Sequence, residues 1–163
     1  MNLLYVADPL EHFKIYKDTT FAMMREAQRR GHRIAACEPR DLHWQRGDMV
    51  QARVRWIQLT GGASEWFKET ALESAVLKDF DGVLMRKDPP FDAEFIYATH
   101  LLEQAEREGA RVFNRPAALR NHPEKLAIME WPEWIAPTLV TRSAQEIRRF
   151  HDAHRDIILK PLD

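Results

Sequence analysis

Apolar residues in this chain fall into short unbroken runs and stripes at helical spacing, and the two patterns alternate. Leu3 to Ala7 is an unbroken run closed by Asp8 and Pro9, as expected of a central parallel strand covered on both faces. Phe21, Met24 and Ala27 then recur at helical spacing behind the candidate caps Asp18, Thr19 and Thr20, and Gly31 ends the segment as a C-terminal glycine does. His32 to Cys37 predicts a second strand. From Glu38 to about Asp79 the pattern loosens, but Val50, Ala52, Val54 and Trp56 alternate with Gln51, Arg53 and Arg55, which predicts a hairpin or edge strand with Gly61 and Gly62 at its exit. Gly82 to Met85 is a further strand. Asp92 can cap the next helix, one face of which is marked by Phe91, Phe95, Ala98, Leu102 and Ala105 and which Gly109 closes, and Val112 and Phe113 follow as a strand.

The order strand, helix, strand, hairpin, strand, helix, strand predicts an α/β fold: an open, mostly parallel sheet with right-handed crossovers. Proline-punctuated short helices from Pro116 to Pro123 mark a boundary, giving expected domains at 1–120 and 121–163. In the second, Ser143 with Glu146 reads as a capping box, and Ile147 and Phe150 supply the apolar stripe. The run Asp156 to Asp163 then reads as a buried strand carrying Lys160. So apolar a strand needs a neighbour and the charge needs a partner, so the chain is expected to stop inside a domain.

Composition narrows the partners. Hydrophobic residues are 45% of the chain, enough for a sizeable core and too many for a disordered one. The 24 basic and 25 acidic residues nearly cancel, so no global field recruits nucleic acid or an anionic membrane. The single Cys37 excludes an internal disulfide and reads as a buried thiol at a strand end, not a nucleophile. The N-terminus lacks the basic start and long apolar stretch of a signal peptide, and no segment is long enough to span a bilayer; cytoplasm is the expected location.

Ligands of open α/β sheets sit beyond the carboxyl ends of the strands, which puts the weight on Asp8, Arg86, Lys87, Asp88 and Asn114. Arg86, stiffened by Pro89 and Pro90 downstream, can grip a carboxylate or phosphate through paired hydrogen bonds; ion pairing with Asp88 or helix capping is the plainer reading. Asp18, Thr19 and Thr20 form a second candidate for an anionic ligand, with plain capping as its alternative. His151 and His154 share a helix face without a third ligand at metal spacing, and no metal site is predicted. The five tryptophans read as core and edge packing. No dinucleotide fingerprint, Walker sequence or nucleophile elbow is present.

The run Met85, Arg86, Lys87, Asp88, Pro89, Pro90, Phe91, Asp92, continued by Glu94 to Thr99, closely resembles the bacterial glutathione synthetases of the ATP-grasp superfamily. Asp8 and Pro9, Asp18 to Met23, Glu26 to Gly31, Asn114 to Pro116, Leu119 and Arg120, Glu124 to Leu126, Pro137 to Arg142 and Ile157 to Asp163 fit the same family; the likeness is weakest from about Leu42 to Asp79. The resemblance implies a Rossmann-like pre-ATP-grasp substrate domain followed by the start of an ATP-grasp domain. It also implies an ATP-dependent ligase in which ATP, with Mg2+, phosphorylates a carboxylate of γ-glutamylcysteine and the amine of glycine attacks the acyl phosphate. Such chemistry requires cations at the phosphates and exclusion of water. Lys125 and Lys160 match the family's two nucleotide-contacting lysines, and Arg86 is expected to hold a substrate carboxylate, with Asp18 and Thr20 beside it. The glycine-rich lid and magnesium ligands of the family belong beyond Asp163, so these residues alone are expected to bind but not to ligate. The rival readings are an ATP-grasp ligase for another amine and a non-catalytic assembly module; exposed apolar surface keeps a homo-oligomer open.

Overall fold

The computed structural model describes residues 1–162. Along the chain run β1 (Asn2–Val6), α1 (Thr19–Arg29), β2 (Arg33–Cys37), β3 (Leu42–His43), β4 (Gln51–Leu59), β5 (Phe67–Val76), β6 (Gly82–Met85), α2 (Ala93–Arg107), β7 (Val112–Phe113), α3 (Pro116–Asn121) and α4 (Ala144–His154). They divide into one compact unit ending at Asn121 and another beginning at His122.

In the first unit, β1 lies between β2 and β6, parallel to both, and β6 is parallel to β7. β4 runs antiparallel to β2 and β3 on one side and to β5 on the other. The alternation from Val50 to Trp56 therefore belongs to a hairpin arm inside the sheet, and β5, which the sequence pattern does not reveal, is the edge. β5 is mostly exposed, so its polar Lys68, Glu69 and Glu73 need no alternating apolar face.

The continuous apolar run of β1 follows from burial on both sides. Leu4 and Val6 join α2's Phe95, Ala98, Leu102 and Ala105 in one cluster, while Tyr5 joins α1's Met24 and Ala27 in the other. This is the period-two alternation of a strand sandwiched between helices. Complete burial of each of Leu4, Val6 and Leu102 contributes roughly 1.5–3 kcal/mol. Along β4 the buried positions change parity from Ala52, Val54 and Trp56 to Ile57 and Leu59, moving from the α2 cluster to the α1 cluster near a register shift between Trp56 and Ile57. Gln28 of α1 fixes the far end of β4: its Nε2 donates to the Leu59 carbonyl (3.0 Å) and its Oε1 accepts from Leu59 N–H (2.7 Å).

α1 and α2 are capped and closed at the residues the sequence singles out, although Phe91, read as part of the second helix face, precedes the first residue of α2. Asp18 and Asp92 accept from the amides of Phe21 and Phe95, each at 2.9 Å, and Gly31 and Gly109 follow the helices at φ 76° and 104°. No helix among the described residues is long and apolar enough to cross a membrane.

The second unit departs from expectation twice. Ser143 caps α4 through Glu146 N–H (3.3 Å), but the box does not close. Ser143 N–H donates to Thr141 Oγ1 (3.0 Å), and Glu146 pairs with Arg149 (2.8 Å) instead. The expected terminal strand is absent among the described residues: Ile157 to Leu162 are irregular, with Ile158 84% and Leu159 69% exposed. A strand exists through ladder bonds to a neighbour, and among the described residues this unit contains no other strand to supply them. Asp163, the last residue of that expected strand, lies outside the described residues.

Candidate functional site

β1 is the point where the sheet reverses direction. The chain builds outward through β2 and the β4–β5 hairpin, then returns to place β6 on the other side of β1. The loops leaving β1 and β6 part at such a point and leave a crevice between them. Here it is a cleft of about 210 Å³ lined by Asp8, His12, Phe13, Asp18, Thr20, Arg86 and Asp88.

Arg86 follows the last residue of β6, and its own amide still donates to the Val6 carbonyl of β1 (2.7 Å), so its Cα is fixed by the ladder. The side chain is fixed from α1. Nε donates to Thr20 Oγ1 (3.1 Å) and Nη2 to Thr19 Oγ1 (2.8 Å), while Nη1 makes no hydrogen bond among the described residues. Thr20 is 4% exposed, one of few buried polar side chains, and the guanidinium satisfies its hydroxyl. Arg86 also acts electrostatically on Tyr5, which is buried in the core with α1. Burial pushes its phenol pKa up, and the positive charge of Arg86 pulls it partly back.

Asp8, just beyond β1, ties the two strand ends together. Its Oδ2 accepts from Asp88 N–H (2.9 Å) and its Oδ1 pairs with Lys87 Nζ (2.9 Å), while Lys87 also donates to the Asp88 carbonyl (2.5 Å). The loop carrying Arg86 is thus held at both ends. Of the plainer readings of Arg86, the ion pair with Asp88 does not form among the described residues, and its side-chain bonds go to hydroxyls in the first turn of α1.

Arg86, Asp18 and Thr20 therefore line one cleft. Lys125 and Lys160 belong to the second unit, Lys125 half-buried in the turn after Pro123 and Lys160 exposed in the irregular C-terminal stretch. Asn114 is exposed beyond β7 and is not among the cleft residues. His12 and Phe13 line the cleft although sequence reasoning passed them over. Their one signal is their place in the long connection between β1 and α1, where loops of such sheets carry binding groups.

Cys37 is buried and unpaired, and burial pushes its thiol pKa well up, as suits a packing residue. Trp56 and Trp66 are core, but Trp44, Trp131 and Trp134 are exposed, so packing accounts for only part of the set. His151 and His154 are exposed, the latter against the Phe150 ring at 4.4 Å. Among the described residues no group of three or more His, Cys, Asp or Glu side chains is placed to hold a metal ion. A larger groove of about 690 Å³ passes Leu3, Met23, Leu84 and Phe113, but it is mostly apolar and lies toward the starts of β1 and β6, away from the crevice.

The family comparisons match this architecture. Residues 1–120 match the model of the prokaryotic glutathione synthetase N-terminal domain, and residues 124–163 match that of the prokaryotic glutathione synthetase ATP-grasp domain. Among curated relatives, glutathione synthetase of Ralstonia nicotianae is 51% identical over all of this chain and 50% of its own length. Those of Nitrosomonas europaea and Vibrio cholerae are 48% and 46% identical, again over the whole chain and 52% and 51% of theirs. The chain spans about half the length of the curated relatives it matches. With a matching model over most of its residues, the chain belongs to the prokaryotic glutathione synthetase family.

Proposed function

We propose that this chain supplies the dipeptide-binding part of a glutathione synthetase, with the cleft at the ends of β1 and β6 holding γ-glutamylcysteine. The observation that carries the reading is the Arg86 guanidinium, held by Thr19 and Thr20 with Nη1 free of hydrogen bonds among the described residues. A guanidinium anchored through Nε and one Nη has lost most of its rotamer freedom before ligand arrives, so less entropy is lost when it takes a carboxylate. Thr20 and Thr19 act as positioning residues for it, and Asp18 fixes the helix turn that carries both hydroxyls.

The complete reaction would join γ-glutamylcysteine to glycine with ATP and magnesium in the cytoplasm. Lys125 and Lys160 would meet the nucleotide, because ammonium groups suit its phosphates and both positions fall in the region matching the ATP-grasp family. Domains at 1–120 and 121–163 follow the same division of labour, with dipeptide on the first and nucleotide on the second.

Isothermal titration with γ-glutamylcysteine tests the cleft. Arg86→Lys keeps the charge and loses the fork, so affinity should fall at least about tenfold. Undiminished affinity would remove Arg86 from the site.

A further inference from the structure

We infer that this chain carries a second binding site, for a free α-amino acid with an apolar side chain, in the cavity beside Trp56 at the end of the sheet away from the crevice. The cavity measures about 390 Å³, within the roughly 300–1,000 Å³ of small-molecule pockets. Asn2 and Arg33, the first residues of β1 and β2, line it, whereas the crevice lies beyond the last residues of β1 and β6. Its charged groups are the Arg33 guanidinium and the carboxylates of Glu73 and Asp79.

Opposite charges that share a cavity gain by pairing, and here they do not pair. Among the described residues Arg33 makes no side-chain hydrogen bond or ion pair; its guanidinium stands over the Trp56 ring, 4.1 Å from the centroid. Trp56 is itself fixed. It is 7% exposed, its ring stacks on Phe80 at 5.6 Å, and its Nε1 donates to Glu73 Oε1 at 2.5 Å. The indole thus engages the cation through its face and the carboxylate through its edge, and neither is spent on the other. Stacking restrains the guanidinium and leaves its N–H donors open to a ligand. Glu73 keeps its second oxygen, and the Asp79 carboxylate has no hydrogen bond or ion pair among the described residues.

A simple anion would meet Arg33 together with two carboxylates, and a simple cation would meet the carboxylates together with a guanidinium. A ligand with ammonium and carboxylate on one carbon satisfies both signs at once. Val76, half-buried, and Phe80, buried, give its side chain an apolar wall.

The test is a chemical-shift titration of the 15N-labelled 163-residue chain with L-leucine, 4-methylpentanoate (ammonium removed) and 3-methylbutylamine (carboxylate removed). Leucine should produce saturable shifts at the Trp56 indole N–H and the amides of Arg33, Ser74 and Asp79, and each analogue should bind at least about tenfold more weakly. Arg33→Gln and Asp79→Asn change exposed side chains, so the urea midpoint should hold. The first should weaken leucine at least about tenfold, and the second should shrink the preference for leucine over 4-methylpentanoate. Absence of saturable shifts at these positions, binding of 4-methylpentanoate as tight as that of leucine, or leucine affinity unchanged by Arg33→Gln would overturn the inference. None of these results bears on the crevice, whose own titration with γ-glutamylcysteine is read at Thr20 and Arg86.

Discussion

Arg86 Nε donates to Thr20 Oγ1 across 66 residues of sequence, joining the end of β6 to the first turn of α1 over 3.1 Å. Nothing in either local pattern announces the bond, yet it converts a flexible cation into an oriented one. Replacing Thr20 by Val keeps the buried shape and removes the acceptor. Stability should fall by about 1 kcal/mol, because water can reach the partly exposed guanidinium and replace the lost partner. Affinity for γ-glutamylcysteine should fall about three- to thirtyfold as Arg86 regains rotamer freedom. Urea denaturation and calorimetry on the same variant separate the two effects.

Glu103 of α2 is held by Arg120 of α3, whose guanidinium also reaches Thr99 Oγ1 at 3.3 Å. The hydrogen bond from Arg120 lowers the Glu103 pKa, partial burial opposes it, and the charges of Arg120, Arg107 and His100 add to the lowering. A carboxylate with a depressed folded-state pKa stabilises the fold above its unfolded pKa, about 4.3, and loses that contribution as pH falls through the folded value. Glu103→Gln should therefore destabilise the protein at pH 7 and narrow the difference in urea midpoint between pH 7 and pH 3. A difference as large as that of the unmodified chain would show the pair to be without weight.

Much of the fold was legible because several of its rules are local. Asp18 and Asp92 announce their helices, Gly31 and Gly109 close them, and the unbroken run in β1 reports burial on both faces. β5 was not legible, since an exposed edge strand accepts polar residues at either parity. The run from Ile157 misled for the opposite reason: apolar content can request a strand but cannot supply its partner. At the site, strand-end logic found Arg86, Asp8 and Asp88, and capping logic found Asp18. The bonds from Thr19 and Thr20 to Arg86, and the tie of Asp8 to Lys87 and Asp88, join distant segments and emerge only once the sheet is assembled.

Leu102 is fully buried where α2 meets the sheet. Leu102→Ala should cost about 2–5 kcal/mol, from lost transfer energy and the cavity left behind. The check is the denaturant midpoint at unchanged m. A loss below about 1 kcal/mol would mean that the layer collapses to fill the gap.

Cys37 ends β2 within the core, and burial, then the charges of Asp41 and Glu38, push its thiol pKa up. Only a thiolate alkylates readily, so iodoacetamide at pH 8 should leave the folded protein unmodified and label it after unfolding in urea. Rapid labelling of the native protein would contradict the packing role.

The central claim is that the crevice between β1 and β6 is where the dipeptide binds. Amide chemical-shift mapping of the 15N-labelled chain during titration with γ-glutamylcysteine tests it without altering a residue. The account predicts saturable shifts concentrated at Asp8, His12, Thr19, Thr20, Arg86 and Asp88. Shifts centred instead on Met23, Leu84 and Phe113, or no saturable shift at all, would contradict it.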